Sequence, residues 1–253
     1  VTPALVVTGI PLLLFAVCGV VLGSFGNVLL HRLPTDSSLG GRSRCPHCSH
    51  PLGIRDLVPV LSYLWLRGKC RFCQARISLR YPVVEIASGF LFLAALVHTD
   101  GQMLPGALLG IALWLFFLIA IIDGTTGLIP DALSIPLILV SAAFGFAVGR
   151  VELGAIILGV AWFSVQWLLS RGRWVGSGDI LLGAAIGFLA GSWHRVLLSL
   201  GLSYVLGAAF ALALLLRGKR TGKDRMSFGP FLAAGTTLAV FFGDQILGLL
   251  LGY

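Results

Sequence analysis

Eight apolar runs, at about residues 4–30, 83–98, 104–122, 132–149, 153–170, 180–193, 195–216 and 228–251, constrain this chain more than any other feature. A helix rises about 1.5 Å per residue and must cover about 30 Å of hydrocarbon, so runs of this kind predict membrane spans. With 57% hydrophobic and 11% charged residues and a mean hydropathy of +0.98, the 253-residue chain is not a soluble globule. The expected fold is an all-α polytopic membrane protein of about eight transmembrane helices, with a small cytoplasmic zinc-ribbon-like module between the first two. Three regions follow: residues 1–30, the first transmembrane helix; 31–82, the polar module; and 83–253, a seven-helix membrane core. The first run lacks a basic leading segment and a small-residue cleavage site, which makes it a retained helix and not a signal peptide. Within it Gly23 and Gly26 permit close helix packing and Cys18 reads as a small apolar packing residue. Asn27 needs a polar partner, and Arg32 can reach the interface.

The polar module holds Cys45-Pro-His-Cys48 and Cys70-Arg-Phe-Cys73, two C-x-x-C pairs at close to zinc-ribbon spacing. Four thiolates in two knuckles form a closed tetrahedral set, which suits structural zinc because no position is left for water. A disulfide pair is the competing reading, and His47 and His50 are either spare ligands or solvated neighbours. Charge favours the metal. Arg32, Arg42, Arg44, Arg55, Arg67, Lys69, Arg71, Arg76 and Arg80 stand against only Asp36 and Asp56, which puts the module on the cytoplasmic, reducing side. Arg171, Arg173 and the basic cluster from Arg217 to Arg225 fall on the same side, leaving Arg150 and Arg195 outside. The net charge of +8 is therefore a topology signal and points to no nucleic acid; both termini are expected on the external side.

Asp123 ends the third span and Asp179 opens the sixth, so this topology brings two distant carboxylates to the cytoplasmic level of the membrane. An ionised group at the edge of an apolar run is expensive enough that it has a task or a partner. Asp179 follows Val175-Gly176-Ser177-Gly178, whose glycines admit backbone angles other residues avoid and let an irregular segment lead into a helix beginning at Asp179. Irregular backbone survives at membrane depth only when protein covers it or it lines a wet cavity. The plainer readings are a helix N-cap for Asp179 and a polar stop for Asp123. Neither explains why both arrive at one level beside such glycines. From Asp179 to Trp193 the sixth span covers roughly 21 Å, less than the bilayer core, so either the bilayer thins or Asp179 starts its helix below the cytoplasmic surface.

Taken together, these residues resemble the type IV prepilin peptidases, the bifunctional leader peptidase/N-methyltransferases of pilus and type II secretion systems. The resemblance runs through Gly23-Ser-Phe-Gly-Asn-Val28 with Arg32 and Pro34, the cysteine module, Arg80-Tyr-Pro-Val-Val-Glu85, Asp123 with Ile129-Pro-Asp131, Gly176-Ser-Gly-Asp179, and Phe228-Gly-Pro-Phe-Leu232. It implies that Asp123 and Asp179 are the catalytic pair of a membrane aspartic protease. It also implies cleavage of a basic prepilin or pseudopilin leader after Gly, and methylation of the new N-terminal residue, usually Phe, from S-adenosylmethionine. The implied setting is a bacterial inner membrane, with lipid around the chain and pilus or type II secretion machinery as partners. Archaeal members of the family lack the cysteine module, so its presence implies the bifunctional bacterial branch. No glycine-rich nucleotide-binding unit marks a methyl-donor site.

The chemistry suits two carboxylates: one ionised to activate water, the other protonated to hydrogen-bond the scissile carbonyl. The dipole at a helix start favours charge on Asp179, whereas Asp123 meets the opposite end if its helix stops at Ile122, so Asp179 is the expected ionised member. Gly176 and Gly178 support the site. Asp131 reads as a helix-start residue supporting it as well, and Glu85 as either an interfacial carboxylate or a buried supporting group. Asp244, inside the last run, has no assigned partner. Two other classes remain open: an ion-coupled carrier, which would be expected to show matched broken helices, and a zinc-stabilised assembly platform without catalysis.

Overall fold

The computed structural model describes residues 9–38, 40–218 and 226–252. Among them are nine α-helices: α1 (Gly9–Arg32), α2 (Leu61–Trp65), α3 (Arg80–His98), α4 (Met103–Thr126), α5 (Asp131–Ala147), α6 (Leu153–Ser170), α7 (Ser177–Ala190), α8 (Trp193–Leu216) and α9 (Gly229–Leu251). Each apolar run corresponds to one helix, and α2 is a short extra turn in the polar module. Six of them (α1, α3, α4, α6, α8 and α9) are long and apolar enough to cross a membrane. The other two, α5 and α7, have 17 and 14 residues and reach about 25 and 21 Å. The described residues form no strand, only the isolated bridges Arg44–Pro51 and Lys69–Arg76 in the cysteine module. Most of the basic cluster expected after Arg217 lies outside the described residues.

The chain separates into two compact units, Val1–Gly110 and Ile111–Tyr253. In the first, α1 and α3 run antiparallel and touch through backbone. A Cβ on Gly19 would sit 2.7 Å from Ser88 O, one on Gly23 2.7 Å from Glu85 Cα, and one on Gly89 2.8 Å from Val20 Cγ2. Lipid supplies no hydrophobic drive between helices, so their association depends on such close approach. Asn27 finds the polar partner it needs by donating from Nδ2 to Tyr81 O at 3.1 Å. Two expectations change. Cys18 is exposed on α1 and is not a packing residue. The guanidinium of Arg32 turns back to donate to Ser38 O and Gly40 O in the module, because those carbonyls lie within one side-chain length of the helix end.

In the second unit α7 packs against α5, α6, α8 and α9. Its seam with α6 is made by Gly159 and Gly183, where a Cβ on either would overlap the other's carbonyl oxygen, and by Gly187, where a Cβ would lie 2.6 Å from Ile156 Cα. The α8/α9 seam is polar and small. Ser199 and Thr236 share a 2.9 Å hydrogen bond, Ser203 Oγ donates to Ser199 O at 2.7 Å, and a Cβ on Gly235 would collide with Ser203. Asp244, without an assigned partner in the sequence, accepts from Arg195 Nε at 3.1 Å.

These seams predict a graded response. Gly159→Ala should lower stability by about 1–3 kcal/mol, because the obstacle is rigid backbone. Gly201→Ala, where nothing lies within 4 Å, should leave it unchanged. Thermal unfolding of the two variants in one detergent checks the contrast.

Candidate active site

The last turn of α4 carries Asp123. The helix does not stop at Ile122 as the apolar run suggests. It continues to Thr126, because Thr125 and Thr126 turn their hydroxyls back onto Ile121 O and Ile122 O, and Gly127, at φ 70°, closes it by donating to Asp123 O at 2.8 Å. The chain then passes through Leu128, Ile129 and Pro130 to α5. Asp131 opens that helix, as expected of a helix-start residue, and it is exposed.

Asp179 stands on the first turn of α7. The helix starts at Ser177, two residues earlier than expected, with Gly176 as its N-cap. Asp179 is therefore the third helical residue, and its Oδ2 reaches back to accept the Gly176 N–H at 2.9 Å. The two glycines serve differently from the sequence expectation. Gly176 is extended at φ −80°, ψ 164°, which any residue adopts. Gly178 is required by space: a Cβ there would lie 2.7 Å from Ile129 Cβ, so its absence lets the loop before α5 lie against the start of α7.

Asp123 and Asp179 are 5% and 6% exposed, and they are close enough to interact as charges. Each commits one oxygen to a backbone donor. Asp123 Oδ2 accepts the N–H of Gly229, the first residue of α9, at 2.7 Å. Asp179 Oδ1 is buried with no hydrogen-bond partner among the described residues. The expected asymmetry between them narrows here. Asp123 was to face the negative end of its own helix, but its carboxylate sits on the positive start of α9, as that of Asp179 sits on the start of α7. Asp123, still on the last turn of α4, thus meets opposing helix ends, whereas Asp179 meets only a favourable one. Gly229 is a contact that the sequence reading left without a role; a Gly-Pro pair opening a helix was the available signal.

Glu85 lies in the N-terminal unit, buried on the first turns of α3. Its Oε2 accepts the Val60 N–H at 2.7 Å, so it ties the start of the module's α2 to α3. This places it as a buried group and not an interfacial one.

In the same unit the four thiols of Cys45, Cys48, Cys70 and Cys73 lie within 4.8 Å of one another. The two loops repeat one hydrogen-bond scheme. Cys45 N donates to His50 O and Ser49 N to Cys45 O; Cys70 N donates to Ala75 O and Gln74 N to Cys70 O. Ser49 and Gln74, the equivalent fifth residues, both take positive φ (57° and 59°). The set fits zinc: with Zn–S bonds of about 2.3 Å a thiolate tetrahedron has edges of about 3.8 Å, and Cys45 Sγ to Cys73 Sγ is 3.8 Å. Hydrogen bonds from the Cys48 and His47 backbones push the Cys45 thiol down to about 6, while Cys73, despite a backbone bond from Ala75, is pushed up to about 11 by burial and the neighbouring thiols. His50 does not join the cluster as a ligand but packs on Phe72 of the second knuckle, ring centroids 3.6 Å apart. His47 is exposed beside it.

Comparison with known proteins follows the same division of the chain. Residues 17–99, with all four cysteines, match the bacterial peptidase A24 N-terminal domain, and residues 109–212, with both aspartates, match the type IV leader peptidase family. The chain is 36% identical to a prepilin leader peptidase/N-methyltransferase of Burkholderia pseudomallei (strain 1026b), over 97% of this chain and 89% of that protein. It is 34% identical to one of Aeromonas hydrophila, over 94% of each chain. A third, from Dichelobacter nodosus, is 36% identical over 83% of this chain and 74% of its own length. No solved structure matches. An ordered match of this extent has one reading: the chain belongs to the type IV leader peptidase family.

Proposed function

We propose that this protein is a membrane aspartic endopeptidase that removes the basic leader of type IV prepilins or pseudopilins after Gly and then N-methylates the new N-terminal residue, usually Phe. Asp123 and Asp179 are the catalytic pair. The observation that supports this is that two buried carboxylates, from α4 and α7, lie close enough to interact as charges, each with one oxygen tied to a backbone N–H. In the reaction the ionised carboxylate takes a proton from water as the water's oxygen bonds to the scissile carbonyl carbon. The protonated partner hydrogen-bonds the carbonyl oxygen, and a proton passes to the leaving nitrogen as the C–N bond breaks. Close like charges keep the pair at one proton between them. Gly178 supports the pair by the space it leaves for Ile129, Gly176 by its N–H, and Asp131 by opening α5 after the same loop. Glu85 supports the module joint described above.

Cys45, Cys48, Cys70 and Cys73 hold a structural zinc, whose contribution when bound is to cross-link the two knuckles of a segment too small and polar to fold on a core of its own. S-adenosylmethionine is the methyl donor. It is assigned no residues, since no strand and glycine-rich loop of the nucleotide-binding kind occur among the described residues. The protein lies in a bacterial inner membrane. The excess of Lys and Arg in residues 31–82 supports a cytoplasmic module, and Arg171 and Arg173 support cytoplasmic ends for the fifth and sixth spans, with the end of the third on the same side by alternation. A cytoplasmic basic leader and a lipid-embedded apolar segment of the substrate meet at that level. The division into 1–30, 31–82 and 83–253 separates entry helix, zinc module and peptidase core.

Asn nearly preserves the size of Asp but neither ionises nor supplies an acid proton. Asp123→Asn and Asp179→Asn should each cost about 10³-fold or more in leader cleavage with insertion and thermal unfolding unchanged. The check is incubation of purified protein with a pilin-like peptide and N-terminal sequencing of the product; cleavage near the wild-type rate removes that residue from the pair. Replacing Cys45 and Cys48 by Ser should release the zinc, loosen residues 40–80 to proteolysis, and impair methylation more than cleavage. Metal analysis and limited digestion read the outcome, and carefully purified wild type without zinc would count against the assignment.

A further inference from the structure

The start of α9 carries the motif Phe228-Gly-Pro-Phe-Leu232, to which the proposed reaction assigns no part. The backbone donors of its helical residues, Gly229 to Leu232, can be accounted for one by one. Pro230 has no N–H, and the N–H groups of Phe231 and Leu232 both donate to Phe228 O at 3.0 Å. That leaves the Gly229 N–H as the open donor of this helix start, and it goes to Asp123 Oδ2 at 2.7 Å. The approach is possible only for glycine: a Cβ at 229 would sit 2.6 Å from that oxygen and 3.1 Å from both Cβ and Cγ of Asp123. Neighbouring contacts hold the helix start in place. The Pro230 ring lies 3.3 Å from where a Cβ on Gly124 would be, and the Phe228 ring packs on Tyr204 with centroids 4.8 Å apart.

We propose that Gly229 is a positioning residue for the reaction: its backbone N–H, delivered by the start of α9, orients the Asp123 carboxylate so that one oxygen is fixed and the other is presented to the reacting groups. This rests on Asp123 belonging to the catalytic pair. The arrangement repeats that of Gly176 and Asp179, so both members of the pair are held in the same way by N–H groups from helix starts, one local and one from the far end of the chain. A carboxylate held at one oxygen does not have to reorient as the reaction proceeds, and that preorganisation lowers the barrier without adding substrate affinity. Glycine at 229 therefore matters for rate, and the proline after it removes a competing donor.

The test uses the full-length protein in detergent with a pilin-like peptide. Gly229→Ala pushes a methyl group into the carboxylate and should lower kcat by about 100-fold with KM within about twofold of wild type. Gly243→Ala on the same helix, where the nearest atom to the new Cβ is Arg195 Cγ at 3.7 Å, should leave both constants unchanged. A second measurement does not depend on the Gly229 variant folding. In wild type labelled with 15N-glycine and 13C-phenylalanine, the Gly229 amide proton should resonate downfield of the other Phe-Gly amides, and it should move upfield in Asp123→Ala. A Gly229→Ala enzyme with wild-type kcat, or a Gly229 amide indifferent to Asp123→Ala, overturns the positioning role alone. Cleavage that persists in Asp123→Asn overturns the catalytic reading and this inference with it.

Discussion

A buried carboxylate must be given hydrogen-bond donors, and in the C-terminal unit both donors are backbone N–H groups at the starts of helices. Gly176 serves Asp179 within one turn of α7, while Gly229 brings the start of α9 to Asp123 on α4. The second bond ties the start of α9 to the end of α4, whereas the first is local to α7. A polar side chain in the same role would add rotamer freedom, whereas a backbone amide moves only with its helix. Glycine is needed for close approach at 229 against the carboxylate and at 178 against Ile129, and for a left-handed backbone angle at 127, where it closes α4.

The shortness of α7 follows from its surroundings. More than half of its residues are buried, including Leu182, Gly183, Ala185, Ile186 and Gly187, and four other helices pack around it. A helix enclosed by protein need not match the thickness of the bilayer, because its ends are satisfied by neighbours and not by headgroups. That freedom lets Asp179 sit at the start of a 14-residue helix with its carboxylate buried. Glycine seams with α6 supply the contact that side-chain hydrophobicity cannot supply in lipid.

The cysteine module solves a different problem. Residues 40–79 form almost no regular structure, and their backbone groups are instead spent in two copies of one knuckle, each closed around a C-x-x-C pair and each with a left-handed residue at the same place, Ser49 and Gln74. A salt bridge of 2.8 Å from Arg71 to Asp56 and the bond from Val60 to Glu85 connect the knuckles to α3. Four thiols converge where the two copies meet, and the module's order depends on what joins them.

The sequence alone determined the helical membrane class, the eight apolar helices and the pairing of the cysteines into one cluster. All of these depend on local quantities: hydropathy over a run of residues, charge in a loop, spacing between two cysteines. Tertiary structure decided the partners of the polar groups carried by the apolar helices. Asp123 bonds Gly229, 106 positions away, and so faces the positive start of one helix where its own chain neighbours suggested a negative end. Asp244 finds Arg195 across the α8/α9 seam, and Glu85 finds a backbone N–H in the module. The physical reason is common to all three. A hydrogen bond acts over about 3 Å, so its partner is chosen by which segments the packing of helices brings together, and small residues such as Gly159, Gly183 and Gly235 set that packing at contacts invisible along the chain.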